Sequence, residues 1–171
     1  MSSRKVFFAL LIIPLLLFIF LFSNKDNIEE SLSPKNATYL IDDQEVTLTD
    51  GYAEEVIAED SATKVITRIF SSSTVGDFDG DGVEDTALLL TQDTGGSGIF
   101  YYVAVFDGKK GSNAILIGDR IAPQNIVFSD GQIIVNYATR LPEESFSDPA
   151  SIGVSDYFYF KDGVLYVAGL S

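Results

Sequence analysis

Cysteine and histidine are both missing from the 171 residues. Without cysteine the chain has no disulfide, no thiolate nucleophile, no sulfur metal site and no residue for the lipid of a bacterial lipoprotein. Without histidine it lacks the usual general base and the commonest transition-metal ligand. Cations are also scarce, at 11 basic against 25 acidic residues. Arg4 and Lys5 account for two of the 11 and lie ahead of every acidic residue, so beyond Phe22 nine basic residues face all 25 acidic ones, a net of −16. A surface of that sign repels phosphate backbones and anionic headgroups, which argues against nucleic acid as a partner and favours cations or basic proteins.

One long apolar run is present. Val6 to Phe22 holds 17 consecutive apolar residues, preceded by Arg4 and Lys5 and followed by Ser23-Asn24-Lys25-Asp26. As a helix rising ~1.5 Å per residue it covers roughly 25 Å, enough to span a bilayer core with its flanks. Pro14 is tolerated in such a helix. The basic flank holds the N-terminus inside and sends the rest out. A cleaved signal peptide is the competing reading. It needs small residues before the cleavage point, where the sequence has the bulky Phe20-Leu21-Phe22-Ser23, and a shorter apolar core. The expected organisation is a cytoplasmic N-terminus over 1–5, a transmembrane signal-anchor over 6–23, a polar linker over 24–37 and an extracytoplasmic β domain over 38–171.

Beyond the linker the sequence reads as short strands broken by turn residues. Thr38–Ile41 and Glu45–Thr49 flank Asp42-Asp43-Gln44 as a hairpin. Lys64–Phe70 leads to an acidic loop and Thr86–Thr91 leaves it. Ile99–Phe106 is apolar on both faces, as a strand covered on both sides would be. Ala114–Ile117, Asn125–Phe128, Gln132–Tyr137, Tyr157–Phe160 and Val164–Val167 follow, with Asp130-Gly131 and Asp162-Gly163 as hairpin turns. Tyr52–Glu59 fits neither period well and is read as strand; Leu141–Ser151, with Pro142 and Pro149, is a loop. The fold class is all-β, a sandwich or open barrel of antiparallel hairpins, after one N-terminal transmembrane helix.

The sharpest chemical feature is Asp77-Phe78-Asp79-Gly80-Asp81-Gly82-Val83-Glu84-Asp85. It sets Asp at positions 1, 3, 5 and 9 and Gly at 6. Calcium takes six to eight hard oxygen ligands in a forgiving geometry. Alternate side chains on a tightly curled loop converge, and glycine permits the bend. The expected ligands are the carboxylates of Asp77, Asp79, Asp81 and Asp85 and the backbone carbonyl of Val83. Five carboxylates in nine residues repel one another unless a cation sits among them. Position 12 is Leu88 where an EF-hand has glutamate, and strand follows where an EF-hand has helix, so one weak site is expected, near ~10⁻⁴–10⁻³ M.

This strand–loop–strand stretch resembles the calcium loop of the FG-GAP repeats of integrin-type propellers, which implies a metal loop; one copy in a chain this short does not imply the propeller. A wider stretch resembles a family of bacterial envelope proteins that carries no established activity. It runs from Val75-Gly76-Asp77 through Ala87-Leu88-Leu89-Leu90-Thr91-Gln92, Gly95-Gly96-Ser97-Gly98 with Phe100-Tyr101-Tyr102, and Gly118-Asp119-Arg120-Ile121-Ala122-Pro123-Gln124 to Val135-Asn136-Tyr137-Ala138 and Arg140. That likeness implies location and architecture only.

Other motifs carry less. Gly95–Gly98 lacks the lysine and helix of a phosphate cradle and reads as a hairpin turn. Ser61-Ala62-Thr63-Lys64 matches Ser-x-x-Lys without its companion elements. Glu143 and Glu144, near Arg140 and Tyr137, are a conceivable carboxylate pair for glycoside hydrolysis. Arg120 and Arg140 read as salt-bridging residues among abundant carboxylates. The sequence therefore points to a single-pass membrane protein with a calcium-binding β module outside the cytoplasm, periplasmic or at the cell surface. Its role is structural or binding, its partner an envelope protein or glycan. The alternative is a carboxylate-dependent hydrolase acting on cell-wall glycan.

Overall fold

A computed structural model describes residues 32–56 and 63–169. The expected membrane anchor lies outside these residues, and no helix among them is long and apolar enough to cross a membrane. The described chain is all-β. Its strands are β1 (Thr38–Ile41), β2 (Gln44–Thr47), β3 (Tyr52–Val56), β4 (Lys64–Gly76), β5 (Asp85–Asp93), β6 (Ile99–Phe106), β7 (Asn113–Asp119), β8 (Ala122–Ser129), β9 (Gln132–Thr139), β10 (Ile152–Lys161) and β11 (Val164–Val167). A seven-stranded sheet runs β2-β1-β7-β6-β5-β4-β3, and a four-stranded sheet runs β11-β10-β9-β8.

Four tight turns explain much of the pairing. Asp42-Asp43, Asp50-Gly51, Asp130-Gly131 and Asp162-Gly163 all hold positive φ at both central residues. That conformation matches the twist of antiparallel strands, and Asp and Gly reach it at little strain. It closes the pairs Ile41 with Gln44, Thr49 with Tyr52, Ser129 with Gln132 and Lys161 with Val164. Tyr52–Glu59 is strand over Tyr52–Val56, and its remainder lies outside the described residues. The fold begins ahead of position 38: Pro34–Asn36 form a short 3-10 turn, Asn36 Oδ1 accepts the Asp50 N–H, and Ala37 is buried.

The centre of the molecule is β5 and β6, which are covered on both sides. Ala87, Leu89, Val103 and Val105 face the four-stranded sheet and pack with Ile126, Ile133, Val135, Phe158, Phe160 and Leu165. Leu88, Leu90, Tyr102 and Ala104 point the other way and pack with Tyr39, Ile41, Val46 and Leu48. The second cluster forms because the large sheet curls until its two edge strands, β2 and β3, are joined by the Asp50-Gly51 turn. Each fully buried leucine in these layers contributes about 1.5–3 kcal/mol.

One pairing departs from the expected antiparallel hairpins. β1 lies parallel to β7, with Leu40 opposite Asn113 and Ile41 opposite Ala114. These residues are far apart in sequence, so no turn residue announces the contact.

Five tyrosines are shifted above the ordinary phenol range, and three of them, Tyr39, Tyr102 and Tyr137, are shifted far. Burial raises Tyr39; burial and then the carboxylate of Asp42 raise Tyr102; burial and then that of Asp156 raise Tyr137. A raised folded value means the neutral phenol contributes its full stability below the unfolded value of about 10, and loses it as pH climbs beyond. In an alkaline titration the phenolate absorbance of these three of the eight tyrosines should emerge only with the loss of β-sheet circular dichroism. Complete ionisation of all eight in a chain still folded would contradict this.

Candidate metal centre

β4 ends at Gly76 and β5 begins at Asp85, and these two residues face each other in the ladder. Between them the chain makes the acidic loop. Phe78 fixes it from below: it is buried, and its ring lies 4.7 Å from that of Phe128 on the opposite sheet. Gly76 leaves room for these rings, since a Cβ there would stand 3.0 Å from Phe78 and 3.1 Å from Phe128. With Phe78 turned inward, Asp77 and Asp79 on either side turn outward, as alternation along an extended chain requires. Gly80 and Gly82 then bend the loop back at φ of 81° and 83°, a region where side-chain-bearing residues are strained.

The loop's own amides hold the carboxylates in place. Asp77 Oδ1 accepts the Gly80 N–H at 2.7 Å and its Oδ2 the Gly82 N–H at 3.1 Å. Asp79 Oδ1 accepts from Asp81 N–H at 3.1 Å, and Asp81 Oδ1 from Val83 N–H at 2.7 Å. These are Asx-type turns, in which a short acidic side chain bonds the backbone just beyond it. Asp85 closes the circle: its Oδ2 accepts the Phe78 N–H at 2.8 Å.

Of the five expected ligands, the structure brings three together. Asp77, Asp79 and Asp85 each direct one carboxylate oxygen to a common point, all within 4.8 Å of one another. Two oxygens on one calcium, each 2.3–2.6 Å from it, stand at most about 5 Å apart, so this spacing suits a shared ion. The group could hold a metal ion. Asp81 is not part of it and serves the loop through Val83 N–H. The Val83 side chain is exposed.

The electrostatics are one-sided. Asp85 is 1% exposed. Burial holds its carboxyl above the ordinary range, the Phe78 N–H works against that shift, and Asp79, Asp81 and Asp77 add to it. Among the described residues the ion pairs are Lys64–Glu54 and Arg120–Asp119, and neither involves this loop. Three carboxylates meeting without a basic partner are what a cation would neutralise. The anchoring role of Phe78 and the burial of Asp85 escape sequence reasoning, although inward alternation at Phe78 is a signal for the first.

The weaker motifs settle into structural duties. Gly95–Gly98 is the β5–β6 turn, with Gly95 at φ 78° and its N–H on Asp93 Oδ1. Lys64 begins a strand, not a helix, and pairs with Glu54. Glu144 caps its own loop by accepting the Leu141 N–H at 2.8 Å, and Tyr137 donates to Asp156. Arg120 binds Asp119 and lies over the Phe146 ring, while Arg140 donates to the Arg120 carbonyl. Compared with protein-family models, with curated proteins and with solved structures, the chain matches none.

Proposed function

We propose that this chain is a membrane-anchored calcium-binding β module that works outside the cytoplasm as a structural or binding component of the bacterial cell envelope. The observation that carries the reading is the convergence of Asp77, Asp79 and Asp85, with no basic residue paired to them among the described residues, on the loop joining β4 to the central strand β5. Hard oxygen donors in a flexible loop suit calcium, and magnesium less, because magnesium demands stricter octahedral geometry and gives up water reluctantly. The resemblance of Asp77–Asp85 to the FG-GAP loop supports the same ion. Calcium bridges residues that otherwise repel and so stiffens the hinge between β4 and β5. Calorimetric titration of the chain with calcium should give one site at about 10⁻⁴–10⁻³ M.

The location rests on Val6–Phe22 with Arg4 and Lys5 before it, and on the bulky Phe20-Leu21-Phe22-Ser23 where a cleavage site needs small residues. Alkaline phosphatase, which is active only after export, should be active when fused behind Ser171 in a bacterial host. An inactive fusion beside an active cytoplasmic reporter at the same position would reverse the orientation. A mature N-terminus near Ser23, read by mass spectrometry, would remove the anchor and leave the export.

A further inference from the structure

The curl of the large sheet is incomplete. At the Asp50-Gly51 turn an antiparallel hairpin starts, with Thr49 N–H to Tyr52 O at 2.9 Å and Tyr52 N–H to Thr49 O at 3.1 Å. Continued in that register, the ladder would set Leu48 against Ala53, Thr47 against Glu54, Val46 against Glu55 and Glu45 against Val56. It stops after its first rung. β2 pairs with β1 on one side and β3 with β4 on the other, and the edges that face each other carry no further rung among the described residues.

A cleft of about 300 Å³ lies between them, lined by Glu45, Val46 and Thr47 from β2, by Ala53, Glu54 and Glu55 from β3, and by Val65 and Thr67 from β4. A hollow on one face of a sheet is lined by alternate residues, because successive side chains point to opposite faces. Here consecutive residues of both strands line it, so the cleft passes between the strand edges and is a gap in the wall. A second cleft of about 260 Å³ adjoins it at Glu55 and Val65 and extends to Gln44 and Val56.

The sequence supplies the reason for the opening. A closed ladder would place Glu45 diagonal to Glu54 on the outer face and turn the Glu55 carboxylate inward against buried Val46. Lys64 meets only Glu54, at 2.5 Å, and its bond holds that carboxyl below the usual range. Glu45 and Glu55 take part in no ion pair among the described residues. The gap thus combines two backbone edges without a partner strand among the described residues, an apolar inner side at Val46 and Ala53, and excess negative charge. Unpaired edges accept an added strand, and alternate pockets along it select side chains.

We propose that the gap between β2 and β3 docks an extended segment of another protein whose side chains alternate between apolar and cationic, seated as an additional strand. Its apolar side chains point inward to Val46 and Ala53, its cationic ones outward to Glu45 and Glu54, and its amides and carbonyls complete both edges. A second copy of this acidic chain does not suit the site, since its own β2 and β3 edges bring more glutamate. The proposal is independent of the metal centre.

The test uses the full chain in detergent micelles and a labelled, end-blocked heptapeptide of alternating valine and lysine, with binding followed by fluorescence anisotropy. The peptide should bind, less tightly as salt is raised, and should slow amide exchange in segments 45–47 and 53–55 by about tenfold or more. Replacing both Glu45 and Glu54 by glutamine should weaken binding about tenfold, and a peptide methylated on alternate backbone nitrogens should not bind. No binding at about 1 mM peptide would overturn the proposal, leaving the glutamates as charges that keep two edges from pairing. Binding that leaves those amides unprotected, or that the double variant retains in full, would overturn it equally.

Discussion

Gly111→Ala is expected to destabilise the fold by about 3 kcal/mol, the upper end of the usual range for forcing extra volume into a packed core. Gly111 sits after the β6–β7 turn, bridged to Phe106, where β1 crosses beside β7. A methyl group there would lie 2.5 Å from the Thr38 carbonyl oxygen and 2.5 Å from the Tyr39 ring. Neither neighbour yields easily. Thr38 meets it with backbone, and Tyr39 is fully buried with its hydroxyl bound to the Pro34 carbonyl. To admit the methyl, β1 has to move, and with it the bond from Leu40 N–H to the Ser112 carbonyl. Gly153→Ala is the control. It stands in β10 with open space about its would-be Cβ, and should change stability by no more than about 0.5 kcal/mol. Urea unfolding of the two variants decides the matter. Equal midpoints would mean that β1 does not pack against β7 as described.

Asp85 should respond to two substitutions with opposite signs. Asp85→Ala leaves the buried Phe78 N–H without an acceptor, which costs about 1–3 kcal/mol, in calcium or in chelator. Asp85→Asn keeps an oxygen for that N–H and removes a buried charge beside Asp77 and Asp79. In chelator it should therefore match or exceed the parent in stability, and in calcium it should lose the increment the parent gains. If Asp85→Asn were as damaging as Asp85→Ala in chelator, the carboxylate's charge would be stabilising in its own right and no cation would be needed to explain it.

The hairpins were legible in the sequence because their turns are local. Asp-Gly pairs between alternating apolar runs name both the turn and the register, and β6 and β11 occupy the residues the pattern predicts. The covering of β6 on both faces was legible too, from apolar residues without alternation, whereas the equal covering of β5 was not read. What stayed hidden depends on contacts remote in sequence. The parallel β1–β7 pair is set by the close approach at Gly111. The curl is set by two clusters that claim opposite faces of the same strands. At the candidate metal centre, spacing alone makes all four aspartates equivalent. Only the folded loop separates Asp85, buried beneath Phe78 N–H, from Asp81, which faces solvent and bonds Val83 N–H.

The central claim is that Asp77, Asp79 and Asp85 form a cation site that couples to the stability of the β domain. Its most direct test is thermal unfolding of metal-free protein in chelator and in calcium, for the parent chain and for Asp79→Ala. With a dissociation constant of roughly 10⁻⁴ M, about 1 mM calcium adds about 1.4 kcal/mol. A domain of this size should then melt about 3–8 °C higher, with a smaller rise in magnesium. Asp79→Ala should melt alike in both buffers, and in chelator at or slightly above the parent, because one repelling charge is gone. Superimposed melting curves for the parent with calcium and with chelator, starting from folded metal-free protein, would contradict the account.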